Sequence, residues 1–103
     1  MEKTKSFEEL IVWQKAHQFV LDVYALTQSL PREEQFGLTS QFRRASISIA
    51  ANIAEGYKKK GHRDKLKFFN TSQGSISECR TICAWPMISG MRRQQNSVIN
   101  WKK

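Results

Sequence analysis

No apolar run in this sequence approaches the ~20 residues needed to span a bilayer. The N-terminal stretch MEKTKSFEELIVWQK holds only four consecutive apolar residues, Leu10 to Trp13, too few for the apolar region of a secretory leader. A membrane protein is therefore not expected, and the predicted location is the cytoplasm. Cysteine is scarce as well. Cys79 and Cys83 are the only two, and at a spacing of four they face one way on a helix instead of framing a disulfide scaffold. His17 and His62 lie far apart, so no zinc site and no cofactor are expected. Strand-like alternation, fixed-period repeats and low-complexity tracts are all missing, which leaves helices as the building material.

Acidic residues thin out along the chain. After Tyr57 only Asp64 and Glu78 remain, against eleven Lys and Arg. Residues 1–30 carry a net charge of −1, residues 31–57 carry 0, and residues 58–103 carry +9. A basic end of this kind suits nucleic acid, an anionic surface or an acidic partner, and its plainest alternative is a solvated face that keeps the protein in solution. An apolar share of 40% with 25% charged residues excludes global disorder. At 103 residues the chain makes one domain near the lower limit for a self-sufficient core, so oligomerisation would help it.

Ser6 and Glu9 have the spacing of a capping box, which predicts a first helix from Ser6 to about Leu30, stopped by Pro31. Val12, Ala16, Phe19, Val23, Leu26 and Leu30 form one apolar row on it, with Trp13, Val20, Tyr24 and Thr27 beside them. PREEQFG is a connector, and a second helix is predicted over 38–58. At 100° per residue, Leu38, Phe42, Ala45, Ile49 and Ile53 share one arc, and Ile47, Ala50, Ala54 and Tyr57 share another. Between them runs a polar stripe of Gln41, Arg44, Ser48, Asn52 and Glu55. It lies among small residues (Ala45, Ser46, Ala50, Ala51, Ala54) that let helices approach closely, so its polar groups need partners on another helix or another subunit. Arg44 and Glu55 are about 16 Å apart along the helix and do not pair. A third helix is predicted over about 62–85, with Phe68, Phe69, Ser72, Ile76, Cys79 and Cys83 on one face. Gly74 within it suggests close backbone approach. Pro86 ends the pattern, and the last residues form a short fourth helix, with Met91, Val98 and Trp101 on one face, or fray.

The blocks FEELIVWQKAHQFVLDVY, LPREEQFGLTSQFRRASISIAANIAEG and FFNTSQGSISE together resemble the 23S rRNA intervening-sequence proteins, a family of four-helix bundles that includes the accessory variability proteins of diversity-generating retroelements. The likeness spans residue 7 to about 80, leaving residues 81–103 as a divergent tail in a single domain. It implies an all-α, antiparallel up-down-up-down four-helix bundle whose fourth helix is short, altered or missing here. It also implies a homo-oligomer, a pentameric ring, with no catalytic activity. Arg43, Arg44, Asn52, Glu55 and Gly56 match the family's central motif, and Gly74, Ser75 and Glu78 its third-helix motif; these are structural and assembly positions. The tail reads either as degenerate or as a lineage-specific ending that still packs.

Three classes of function are weighed. The first is a non-enzymatic protein that binds nucleic acid, RNA in preference to DNA, through Lys58, Lys59, Lys60, Arg63, Lys65 and Lys67. These cations would attract the phosphate backbone; with no aromatic among them, base stacking is the weaker idea. A lysine cap on the helix C-terminus is the plain alternative for this cluster. The second is a protein-interaction scaffold that docks a reverse transcriptase, or a degenerate member without activity. The third, an enzyme, is not expected: Ser46 and Ser48 have no nearby histidine, the carboxylates are scattered, and Gly56 and Gly61 lack phosphate-loop spacing.

Overall fold

The computed structural model describes residues 6–86 and 88–90. Three long helices carry the chain: α1, Ile11–Thr27; α2, Leu38–Lys58; and α3, His62–Ala84. Short 3-10 turns at Phe7–Glu9 and Arg32–Glu34 precede α1 and α2. The order of cross-helix contacts fixes the directions. Along α2, Gln41, Ser48, Ile49 and Gly56 meet Glu78, Ser75, Ser72 and Phe69 of α3, so one helix rises as the other falls. At the α1 side Phe7 lies by Lys58 and Thr27 by Arg43, which is again antiparallel. The all-α bundle that the resemblance implied, up-down-up-down with a short, altered or missing fourth helix, agrees with these three long antiparallel helices.

The first helix departs from expectation at both ends. Ser6 makes no side-chain cap, and Leu10 is extended, so α1 starts at Ile11 and not at Ser6. The break lets Phe7 fold back to meet the Trp13 ring edge-on at 5.2 Å, while Trp13 stacks on His17 at 4.9 Å. That aromatic contact fixes the entry of the chain into α1 by packing, as a hydrophobic staple would, and leaves the first amides of the helix without a side-chain cap. At the other end, Ser29 and Leu30 donate to Leu26 and Thr27, tightening the helix into 3-10 turns before Pro31.

Pro86 does more than end α3. Trp85 is extended, and Pro86 opens a new helical stretch, with helical backbone at 88–90 and the Ser89 amide donating to the Trp85 carbonyl at 2.9 Å. Proline suits a first helical position because its missing N–H would have no partner there. Ile88 is wholly buried in the common core, so a fourth helix begins by packing on the other three. The predicted face of Met91, Val98 and Trp101 lies outside the described residues.

Val23, Leu26, Phe42, Ile82 and Ile88 are the large side chains at the centre of the core. The first arc predicted on α2 is buried throughout, from Leu38 to Ile53. The second arc is not: Ala50 and Ala54 are buried, yet Ile47 is exposed. On α1, Val12 is 56% exposed although the periodicity placed it in the apolar row. The cause is that α1 and α3 each pack on α2 and scarcely on one another. An apolar trough of about 250 Å³ runs between them, walled by Val12, Ala16 and Phe19 on one side and by Ile76 and Cys79 on the other, with Ile49 and Ile53 as its floor.

Candidate nucleic-acid interface

Only three residues, Lys59 to Gly61, separate α2 from α3, so the basic residues at the end of one helix and the start of the next are gathered into one turn. They do not act alike. Lys65 reaches back from the first turns of α3 and donates to the carbonyls of Gly56 at 3.2 Å and Tyr57 at 3.0 Å, with its ammonium 5.8 Å from the Tyr57 ring centre. The last carbonyls of a helix have no intrahelical donor, and a cation there also suits the helix dipole. Lys65 is therefore the cap of α2. Lys58 and Lys59 share Glu55, at 3.7 and 3.9 Å, and lie over the Phe7 and Phe68 rings. Lys60, Arg63 and Lys67 are exposed and form no ion pair among the described residues. Arg63 and Lys67 are one helical turn apart and so project together.

Gly56 is what lets this turn close. A Cβ built on it would stand 2.5 Å from Cε1 and 2.9 Å from Cδ1 of Phe69, so only glycine leaves room for that ring against α2. Gly74, by contrast, has nothing within 4 Å of its would-be Cβ and sits on the exposed face of α3. The close approach expected at Gly74 occurs at Gly56 instead.

The polar stripe of α2 divides lengthwise. Its inner half lines the seam with α3: Ser75 donates to the Ser48 hydroxyl at 2.8 Å, Ser72 to the Ile49 carbonyl at 3.0 Å, and Gln41 to Glu78 at 3.4 Å. Asn52 donates to the carbonyl and hydroxyl of Ser48, at 2.8 and 3.0 Å. The outer half faces solvent, with Arg44 exposed and Glu55 turned to the lysines of its own chain, so Glu55 finds its partner without a second helix or subunit. Arg43, outside the stripe, clamps α1: its Nε donates to Thr27 at 2.9 Å and its guanidinium lies 4.3 Å over the Tyr24 ring.

Cys79 and Cys83 are buried thiols outside any disulfide, and burial, reinforced by Cys83 and Glu78, pushes the Cys79 thiol up to about 12. A thiol held protonated at neutral pH is not a nucleophile. No group of three metal-ligating side chains exists among the described residues, and none of their helices is long and apolar enough to cross a membrane.

Comparison with curated proteins finds no match. Comparison with protein families does: the profile described as 23S rRNA-intervening sequence protein matches residues 8–97. This match runs past Arg80, where the likeness visible in the residues stops, and takes in the fourth helical stretch on which Ile88 is buried. With nearly the whole chain matched, the protein belongs to the 23S rRNA-intervening sequence protein family.

Proposed function

We propose that this chain is a non-catalytic, RNA-associated protein that meets the phosphate backbone through the turn between α2 and α3 and works as a homo-oligomer, in the pentameric ring that the family likeness implies. The observation that carries this reading is the exposure of Lys60, Arg63 and Lys67 without an acidic partner among the described residues. Lys58 and Lys59 add to the local field with part of their charge offset by Glu55, and Lys65 holds the turn in shape instead of contacting the ligand. A family name drawn from an insertion within an rRNA gene favours RNA over DNA as the polyanion. Phe36, 94% exposed just before α2, is an apolar side chain that contacts between copies could cover.

Backbone attraction is weakly selective for sequence and falls steeply with salt. The test is fluorescence anisotropy of a labelled structured RNA titrated at several salt concentrations, with duplex DNA as competitor. The expected result is a linear fall of log affinity with log salt, RNA retained against DNA, and a slope shallower by about 2 to 3 in the triple variant Lys60→Gln, Arg63→Gln, Lys67→Gln. An unchanged affinity and slope in that variant would remove the turn from the interface.

A further inference from the structure

At the other end of α2 the chain builds a second polar feature. The α1–α2 connection and the first turns of α2 form a half-open cavity of about 390 Å³ lined by Thr27, Gln28, Arg32, Gln35, Thr39 and Arg43, with Leu30 and Pro31 completing the wall. No Asp or Glu is among these residues. Two arginines thus line a shared space with hydroxyls and amides, while the carboxylates of the same connection, Glu33 and Glu34, are not among its walls.

Arg43 is held for this purpose from two directions. Thr27 donates its hydroxyl proton to the Val23 carbonyl at 2.7 Å, which leaves its oxygen to accept from Arg43 Nε at 2.9 Å. The Tyr24 ring supports the face of the guanidinium. One edge and one face are fixed, while the terminal Nη groups have no hydrogen-bond partner among the described residues. Arginine presents those groups as a planar fork suited to the oxygens of an oxyanion. Thr39 gives an independent sign. It is 5% exposed, yet its hydroxyl has no hydrogen-bond partner among the described residues. A buried hydroxyl without a partner costs stability, and native structures seldom leave one without a reason. A ligand oxygen in the cavity would satisfy both the threonine hydroxyl and the arginine fork.

We infer that this cavity binds a small oxyanion of the phosphate class. Donors arriving from two arginines and a hydroxyl suit an anion with more oxygens than a carboxylate has. The cavity is also larger than bare phosphate requires, which leaves room for a small organic group beside the amides of Gln28 and Gln35. The site is separate from the basic turn, since the 21 residues of α2 put its two ends about 30 Å apart.

The experiment is a heteronuclear NMR titration of the full chain with inorganic phosphate, and with acetate at matched ionic strength. Saturable shifts at residues 27–43 and at the Arg43 Nε–H with phosphate but not acetate are expected. Because Arg43 also clamps α1, the deciding variant is Thr39→Val, which keeps shape and deletes only the hydroxyl. It is expected to weaken phosphate binding by about fivefold while its melting temperature stays at or above that of the unsubstituted chain. The Lys60, Arg63 and Lys67 triple variant is expected to bind phosphate as before, which separates this site from the RNA reading. Shifts confined to 58–67, an equal response to acetate, or unchanged affinity in Thr39→Val would each overturn the assignment.

Discussion

Gly56 and Gly74 look alike in the sequence, both set within helices, and they answer opposite questions. At Gly56 an added methyl would overlap the Phe69 ring, and relieving that overlap displaces the ring or the helix at a cost of about 1 to 3 kcal/mol. Alanine would also gain about 1 kcal/mol of helix propensity, so the net effect of Gly56→Ala is a loss of about 1 kcal/mol. Gly74 meets nothing, so Gly74→Ala is expected to stabilise by about 0.5 to 1 kcal/mol. Urea unfolding of the two variants checks the pair, with Phe69→Leu as a third substitution that should relieve the first. A Gly74→Ala variant less stable than the unsubstituted chain would mean that something does press on that face. Sequence spacing alone could not tell the two glycines apart, because the distinction rests on an aromatic ring thirteen positions further on.

Among the elements, the helices were legible because their signals are local. The periodic apolar arc from Leu38 to Ile53 and the breaks at Pro31 and Gly61 fixed α2 and its boundaries almost to the residue. The start of α1 was not legible, since the rival to the Ser6 cap is a contact between Phe7 and Trp13 that exists only once the chain turns back. The basic turn was legible as a cluster but not as a division of labour. Lys65 has the same charge as its neighbours, and only the three-residue connection, by folding α3 back along α2, sets it against the terminal carbonyls of Gly56 and Tyr57. The anion cavity was missed altogether: Arg32, Thr39 and Arg43 belong to different stretches, and nothing in their spacing announces a shared wall. The cap makes a prediction about the element it closes. Lys65→Met is expected to destabilise the fold by about 1 kcal/mol, lowering the melting temperature by about 4–8 °C for a chain of this size. Lys60→Met, at an exposed position with no ion pair among the described residues, should leave it unchanged. Equal melting temperatures for the two variants would deny Lys65 its role.

For the whole molecule, the arrangement of α1 and α3 on either side of α2 couples a single buried group to global stability. Cys79 belongs to the common core and to the wall of the apolar trough, and its thiol is raised from 9.0 to about 12 by burial first and by Cys83 and Glu78 after it. In the folded chain this thiol keeps its proton to about 12, whereas in the unfolded chain it gives the proton up near 9. Between those values unfolding releases a proton, so rising pH favours the unfolded state. The contribution of this group is complete below about 9 and is lost as pH climbs through about 12. Urea midpoints measured across that range should fall with pH, and the fall should be shallower in Cys79→Ala, whatever that variant loses in packing. A parallel decline in both proteins would place the titration elsewhere.

The two ends of α2 also differ in charge. In the turn before it Arg32 offsets part of Glu33 and Glu34, whereas the lysines about its last residues outnumber Glu55. That separation gives this part of the molecule an electric moment lying along its helices. In the field of any polyanion such a body is turned before it arrives, basic end foremost, so that most encounters begin in one orientation and little of the rotational search remains. Copies arriving in this way would stand upright on the surface they meet, with their opposite ends, and the cavity beside Arg43, directed away from it.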